Sequence, residues 1–270
     1  MIFQLLFLIF AMCGAAQANE QTAYNFVYYY PPGGGHDAAT SPLIKYMERN
    51  HLTVNKVFFK SCVEAITYVV ESKKPSYLLV FDDDLTSTVM GPCPNIQSLP
   101  RAPRLITNLT QSAMYICTSP SKSQLTLADL TQGKRFIGST SVPSRFITDL
   151  KKSLTHPGLT MVPYSSSGKL KASLLSNDLD FFYAASIVHD MIEQGSKCLL
   201  SSTRINSLGL PFIGTVFPEF TETPVNNTIW GNAAISNVDI AGLKEAFMSP
   251  EFSTWIKSAK NVSHSGLGKF

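Results

Sequence analysis

The sequence predicts an α/β protein whose sheets are mainly parallel and flanked by helices. Strand-like and helix-like segments alternate along the chain, the pattern that such folds require. The continuous apolar run Tyr77–Phe81 is typical of a strand that is buried on both faces. Two segments also combine a strand, a turn of small residues and the start of a helix. Because ligands bind such sheets at the carboxyl ends of the strands, these two turns are the first candidates for function.

The first part of the chain alternates aromatic or β-branched runs with segments of helical periodicity. The expected strands before residue 119 are Phe26–Tyr30, Val54–Phe59, Tyr77–Phe81 and Met114–Thr118, and the expected helices are Ala38 to about Asn50 and Cys62–Glu71. The proline-rich stretch Gly91–Pro103 is expected to be irregular.

The second part repeats this alternation. The expected strands are Phe136–Gly138, Thr160–Tyr164, Leu179–Ala184, Cys198–Thr203 and Trp230–Ser236. The expected helices are Leu125–Leu130, Arg145 to about Leu154, Lys169–Ser176, Val238–Met248 and Pro250–Lys260. Because it contains several prolines, the segment Phe212–Asn227 is expected to be irregular.

The first candidate loop follows the strand Phe26–Tyr30 and leads into a helix. Glycines let a backbone approach a ligand closely, and the first turn of a helix offers free N–H groups and a partial positive charge. Such a loop is suited to a carboxylate or a phosphate. The expected ligand-binding residues are Tyr30, Pro32, Gly33, Gly34, Gly35, His36 and Asp37.

The second candidate loop follows the strand at Phe136 and again precedes a helix. Its expected ligand-binding residues are Ser139, Thr140, Ser141, Ser144 and Arg145. Pro143 in this loop has no N–H to donate, and the guanidinium of Arg145 could compensate by binding a carboxylate through two hydrogen bonds. A solvated helix residue is the alternative for Arg145.

Three further residues at strand ends could line the same cleft. Asp83 belongs to the acidic triplet after the strand Tyr77–Phe81, and Tyr164 and Tyr183 lie near the ends of two later strands. A helix cap or solvated carboxylates are the alternative for the triplet, and core packing is the alternative for the tyrosines.

Composition and motifs exclude several classes of function. The net charge of +3 and the lack of a Lys/Arg cluster argue against nucleic-acid binding. The glycine loop has neither the spacing of a dinucleotide-binding turn nor the Gly-Lys-Ser/Thr ending of a P-loop. The five histidines show no metal-ligand spacing, and no Ser–His–Asp set suggests a nucleophile. We therefore expect neither catalysis nor a cofactor.

The N-terminus resembles a secretory signal peptide. Residues 1–18 carry no charge, contain an apolar run from Ile2 to Met12, and end in the small-x-small pattern Ala16-Gln17-Ala18. Such a signal peptide would direct the chain to the periplasm and be cleaved after Ala18. Disulfides persist in that compartment. Cys62, Cys93, Cys117 and Cys198 could then form two disulfides in three possible connectivities, or stay as buried thiols.

The segment Tyr30-Pro-Pro-Gly-Gly-Gly-His-Asp37 after a strand resembles the solute-binding proteins of tripartite tricarboxylate transporters, the Bug family. Further segments are similar in order: Leu127–Leu130 with Phe136–Thr140, Val162-Pro-Tyr164 with Ser165–Gly168, Asp178–Phe181, and Pro211–Phe220 before Trp230. The resemblance spans nearly all of the mature chain. The second loop departs from the family pattern, because it has less glycine and reads Ser141–Phe146.

The resemblance implies a two-lobed periplasmic-binding-protein type II fold. Lobe 1 would comprise residues 19–117 and 197–270, and lobe 2 residues 118–196, each with a mainly parallel sheet. It further implies a monomer that closes over a small carboxylate ligand and delivers it to a membrane permease. A secreted α/β hydrolase and a ligand sensor without transport are the alternatives.

Overall fold

A computed structural model describes most of the chain between Ala23 and Ser258. The described residues are 23–29, 32, 35–81, 101–140, 150–152, 154, 157–164 and 166–258. The strands are β1 Ala23–Tyr28, β2 Thr53–Phe58, β3 Ser76–Phe81, β4 Arg104–Ser112, β5 Tyr115–Thr118, β6 Arg135–Thr140, β7 Leu159–Tyr164, β8 Phe181–Ala184, β9 Cys198–Ser201 and β10 Val225–Gly231. The helices are α1 Gly35–Arg49, α2 Cys62–Glu71, α3 Ser167–Leu175, α4 Val188–Glu193, α5 Asn237–Met248 and α6 Pro250–Ser258. Residues 150–152 are also helical.

The described strands form two five-stranded sheets with the same plan. The orders are β2-β1-β3-β10-β4 and β7-β6-β8-β5-β9. In each sheet the first three strands are parallel, the fourth is antiparallel to both neighbours, and the fifth therefore runs with the first three. Four of the five strands in each sheet thus share one direction, which confirms the predicted α/β class with mainly parallel sheets.

The first sheet is covered on both faces. Tyr28 packs on one face with residues of α1, α5 and α6, and the adjacent Tyr29 packs on the other face with residues of α2. Tyr24 fixes α5 to the sheet, since its hydroxyl donates to Asp239 Oδ1 at 2.6 Å. Burial and this carboxylate raise the pKa of Tyr24 to about 12.

The second sheet has the same layered construction. One face carries Ile137, Phe181 and Tyr183 against Leu150, and the other carries Phe182 with residues of α3 and α4. Cys117 and Cys198 are direct partners on β5 and β9 and form a disulfide. Cys62 is disulfide-bonded as well. These three cysteines are therefore not free thiols.

Among the described strands, the chain passes from one sheet to the other twice. The first crossing is the short link between Ser112 and Tyr115, and the second runs from Ser201 to Val225. Ser202 joins the two crossings with its backbone and its side chain. The amide of Met114 donates to Ser202 Oγ at 3.0 Å, and Ser202 Oγ donates to the carbonyl of Thr223 at 3.0 Å. The Ser202 amide donates back to the Met114 carbonyl at 2.8 Å.

The register of the strands shows where the carboxyl ends of the parallel strands lie relative to these crossings. At the first sheet Ser112 lies opposite Val225, and Phe81 at the end of β3 lies opposite Asn227. At the second sheet Tyr115 lies opposite Ala184 at the end of β8. The carboxyl ends of the parallel strands in both sheets therefore flank the two crossings.

The strands of the second sheet lie between Tyr115 and Ser201. The lobe boundaries at residues 118 and 196 stay a prediction, since sheet membership alone does not define where a lobe begins. Among the described residues, no helix combines the length and apolar character needed to cross a bilayer.

Two expected elements differ from the structure. The strand predicted at Trp230–Ser236 is wrong, because β10 ends at Gly231. The next residue, Asn232, binds loop backbone instead of continuing the strand. Its Nδ2 donates to the carbonyls of Ser72 and Lys74, and its Oδ1 accepts from the Ser76 amide. The helix predicted at Leu125–Leu130 is a 3₁₀ turn over Ala128–Leu130. The sequence predicts no element for β4 or α4.

Candidate functional site

The first candidate loop joins β1 to α1, as predicted. The strand ends at Tyr28 and the helix starts at Gly35, three residues before the expected start at Ala38. Pro32 is an exposed turn residue. Gly35 and His36 belong to the first turn of α1. Tyr30, Gly33 and Gly34 lie outside the described residues.

A buried hydrogen-bond chain fixes the start of α1 against the sheet. The hydroxyls of Tyr28 and Thr40 are 2.7 Å apart, and Thr40 Oγ1 donates to the Asp37 carbonyl at 3.3 Å. Burial raises the pKa of Tyr28 above its ordinary range, the negative charge of Asp37 adds to this, and the Thr40 hydrogen bond opposes it. The neutral phenol can therefore donate to Thr40, and the helix start is held in one position.

Asp37 lies in the first turn of α1 and forms an ion pair across to β2. Its Oδ1 is 2.6 Å from Lys56 Nζ, which also donates to Ser41 Oγ at 3.3 Å. The side chain of Asp37 is 15% exposed and that of Lys56 is 34% exposed. The sequence reasoning missed Lys56. The sequence offers one indication of its position: Lys56 alternates with Val54 and Phe58, which both pack against the core between the first sheet and α1, α5 and α6.

The second candidate loop follows β6. Ser139 is buried, and its hydroxyl donates to the Tyr183 carbonyl at 3.0 Å, so this side chain joins β6 to β8. Thr140 is half-buried at the end of β6. Ser141, Ser144 and Arg145 lie outside the described residues, as does Asp83 after β3.

The two tyrosines expected to line the cleft have structural contacts in the second sheet. Tyr164 ends β7 opposite Thr140, and its hydroxyl is 2.6 Å from Ser173 Oγ on α3. Tyr183 is fully buried and lies on the sheet face that packs against Leu150. The core therefore accounts for the position of Tyr183, and Tyr164 faces α3.

Gly138, next to Ser139, lets α3 pack closely on the second sheet. A Cβ at this position would lie 2.6 Å from Leu170 Cδ1 and closer still to Leu179 Cδ1, and both leucines are buried. We expect Gly138→Ala to lower the free energy of unfolding by about 1–3 kcal/mol, because the core cannot admit the methyl group without shifting. Urea unfolding monitored by circular dichroism measures this change.

Gly242 provides the matched control for that substitution. It lies inside α5, and a Cβ there would meet nothing within 4 Å. Gly242→Ala should stabilise the protein by about 0.5–1 kcal/mol, since alanine loses less backbone entropy in a helix. Equal effects at both glycines would contradict the packing described for Gly138.

A groove of about 400 Å³ lies at the other end of α1. It is lined by Lys45, Glu48, Arg49 and Glu251, and Arg49 Nη2 is 2.8 Å from Glu251 Oε1. Lys45, Glu48 and Arg49 lie in the last turns of the 15-residue helix α1, and Glu251 lies in the first turn of α6. This groove is therefore separate from the two loops that flank the crossings. Among the described residues, no group of three or more His, Cys, Asp and Glu side chains could hold a metal ion.

Comparisons with known proteins give a clear answer for the fold. No known family profile and no curated protein sequence matches the chain. Solved structures do match over nearly the whole length. The periplasmic binding protein BugD shares 15% identity at a TM-score of 0.66, covering 89% of this chain and 88% of its own.

Two proteins of Rhodopseudomonas palustris are also similar. Rpa4515 with adipate shares 14% identity at a TM-score of 0.72, covering 93% of this chain and 91% of its own. MatC (Rpa3494) with bound malate shares 12% identity at a TM-score of 0.66, covering 89% of each chain. The chain therefore has the two-lobed α/β fold of periplasmic binding proteins.

Proposed function

We propose that this protein is an extracytoplasmic solute-binding receptor of the Bug type, which captures a small carboxylate and presents it to the membrane permease of a tripartite transporter. The observation that carries the proposal is the placement of the two loops. Both follow parallel strands whose carboxyl ends flank the crossings between the sheets. A ligand between the loops would touch both lobes, so binding would favour a closed form.

The chemistry of the first loop supports an anionic ligand. The amides at the start of α1 carry a partial positive charge, and the helix start is fixed by Tyr28 and Thr40. Fixed donors lose little freedom on binding, which favours affinity. Two proteins of the same fold hold malate and adipate, which are small dicarboxylates.

The proposed site comprises Pro32 to Asp37 of the first loop and Ser139 to Arg145 of the second. Tyr30, Asp83 and Tyr164 stay candidates at its rim, and the buried position of Tyr183 makes it a supporting residue. Residues 1–18 would be the signal peptide of a monomeric periplasmic protein. Lobe 1 would comprise 19–117 with 197–270, and lobe 2 would comprise 118–196.

A thermal-shift screen of residues 19–270 tests the proposal. The panel contains mono-, di- and tricarboxylates, amino acids and phosphonates. A ligand at about 100 times its Kd stabilises the native state by about 2.7 kcal/mol, which would raise Tm by roughly 5–10 °C. A shift with one carboxylate class, with the ligand recovered unchanged by NMR, supports a receptor. No carboxylate shift, or conversion of the ligand, would contradict it.

Gly34→Val tests the first loop directly. A branched side chain would keep a ligand away from the loop amides, so we expect binding to be lost while the circular dichroism spectrum is unchanged. Gly242→Ala serves as the control, because it changes a glycine in open space far along the chain. Unchanged affinity in Gly34→Val would contradict the site assignment.

A further inference from the structure

The disulfide of the second sheet lies beside the two crossings. Cys117 is on β5, which follows the first crossing, and Cys198 is on β9, which precedes the second crossing. Ser202 follows β9 directly, and its amide and hydroxyl bind Met114 immediately before β5. The crossings are therefore tied together twice, by a covalent bond inside the sheet and by the hydrogen bonds of Ser202.

The backbone ladder between β9 and β5 is short and irregular. Strand β9 has four residues and lies at the edge of the sheet beside β5. Leu200 is paired with Ile116, and Cys198 is paired with Cys117. Leu199 is therefore an extra residue on β9, and such a bulge interrupts the ladder of hydrogen bonds. The disulfide lies directly before this interruption.

Thr118 holds the opposite end of β9. Its amide donates to the Lys197 carbonyl at 2.9 Å, and its hydroxyl accepts from the Lys197 amide at 3.0 Å. These bonds lie on the side of Cys198 that is away from the crossings. Loss of the disulfide would therefore leave the backbone of β9 that leads into the second crossing attached to β5 by the bulged ladder alone.

One half of the disulfide lies nearer to solvent. Cys198 is half-buried, whereas Cys117 is fully buried. Reduction by a dithiol would therefore begin at Cys198: a thiolate of the dithiol attacks its Sγ, and the Cys117 sulfur leaves as a thiolate that takes up a proton. The second thiol then displaces Cys198 from the mixed disulfide in the same way. Two electrons pass from the dithiol to the protein, and the dithiol becomes a disulfide.

We propose that the Cys117–Cys198 disulfide is a redox-sensitive lock on the two crossings. When the bond is formed, β9 holds Ser202 against Met114, and the lobes keep the relative position that favours ligand binding. When a dithiol reduces the bond, β9 loosens, the crossings separate more easily, and ligand affinity falls. The effect on affinity rests on the proposed function, whereas the effect on the crossings is independent of it.

Hydrogen exchange tests the lock without a ligand. The amide of Ser202 donates to the Met114 carbonyl, and the amide of Thr223 donates to the Ser202 carbonyl, so both report on the crossings. Exchange is measured before and after reduction with dithiothreitol. We expect these two amides to accelerate at least about tenfold more than the amides of β6. Because β6 is an interior strand of the same sheet, its amides report the accompanying loss of global stability.

Two variants assign this effect to one disulfide. Cys62→Ala with Cys93→Ala leaves Cys117 and Cys198 as the cysteines of residues 19–270, and it should respond to dithiothreitol as wild type does. Cys117→Ala with Cys198→Ala is the matched control. Its crossing amides should exchange fast relative to β6 before reduction, and dithiothreitol should not change that ratio.

Isothermal titration calorimetry then measures Kd for malate, adipate and the carboxylate with the largest thermal shift. We expect reduction of wild type to weaken binding at least about threefold, because only the fraction of molecules with the crossings in place is competent to bind. Reoxidation should restore the affinity. The variant without Cys117 and Cys198 should bind weakly under both conditions.

The outcomes separate the lock from the proposed function. If the Ser202 and Thr223 amides accelerate no more than those of β6, the disulfide acts on global stability alone, and the lock is overturned while the receptor stands. If they accelerate and Kd is unchanged by reduction, redox control of affinity is overturned. If oxidised wild type binds none of the carboxylates, the proposed function fails, and hydrogen exchange still decides whether the disulfide holds the crossings.

Discussion

We expect the double substitution Cys117→Ala with Cys198→Ala to lower the free energy of unfolding by roughly 2–5 kcal/mol. The disulfide joins residues 81 positions apart in sequence, so it closes a long loop in the unfolded chain. Restricting a long loop removes much unfolded-state entropy, and losing that restriction favours unfolding. Urea unfolding measures the change as a lower midpoint.

Reducing conditions provide the control for this substitution. Reduction breaks the disulfides of wild type, including the one at Cys62, and the double variant loses the Cys62 disulfide equally. The two proteins should then differ only by the small packing change at Cys117 and Cys198. A stability difference that persists in full under reduction would show that the loss came from packing in the core and not from the disulfide.

The disulfide also bears on the compartment. It joins the antiparallel strand β5 to the edge strand β9, next to the crossings. Disulfides of this kind persist in oxidising compartments such as the periplasm. We therefore expect the protein to be most stable after export, in agreement with the proposed signal peptide.

Local sequence predicts an element correctly where its apolar pattern and its capping residue indicate the same bounds. The helix predicted at Cys62–Glu71 is confirmed at both ends. Ser61 caps it, since its hydroxyl accepts from the Glu64 amide, and the apolar residues Ala65, Ile66 and Val69 all face the core. An N-cap and an apolar stripe are both visible in sequence, so this helix needs no tertiary information.

Local sequence failed where polar residues form strands. Asn227 Nδ2 donates to Thr110 Oγ1 at 2.7 Å, and Gln111 Nε2 donates to Asn226 Oδ1 at 3.0 Å. These pairs satisfy the polar side chains across β4 and β10, so both strands form without the apolar pattern that signals a strand. The partners are more than 100 residues apart, and single-sequence reasoning cannot pair them.

In the candidate site, too, local sequence predicts some features and misses others. The strand–loop–helix order from Tyr28 to Gly35 was visible in sequence, because glycines and a polar helix start are local signals. The Asp37–Lys56 pair was not visible, since it depends on β2 lying beside β1 in parallel. The burial of Tyr183 also depends on which face of β8 meets the helix at Leu150, and a position near a strand end does not specify this.

Ser202→Ala should destabilise the protein by about 2–5 kcal/mol. The substitution leaves the Met114 amide and the Thr223 carbonyl without the hydroxyl that each of them binds. Ser202 is fully buried, and Met114 and Thr223 are 8% and 5% exposed, so water cannot easily replace the lost bonds. A buried polar group without a partner costs about 1–3 kcal/mol, and this variant creates two.

Ser201→Ala is the matched control, because Ser201 is an adjacent serine that is equally buried. Among the described residues, its hydroxyl binds within the second crossing, where it accepts from the Thr203 amide at 3.2 Å and lies 3.5 Å from Thr203 Oγ1. Hydrogen exchange resolves the two variants: the Met114 amide should exchange faster in Ser202→Ala and stay protected in Ser201→Ala. Because Ser202 joins both crossings, this loss would loosen the contact between the two crossings. A Met114 amide that stays protected in Ser202→Ala would show that the crossings hold together without that hydroxyl.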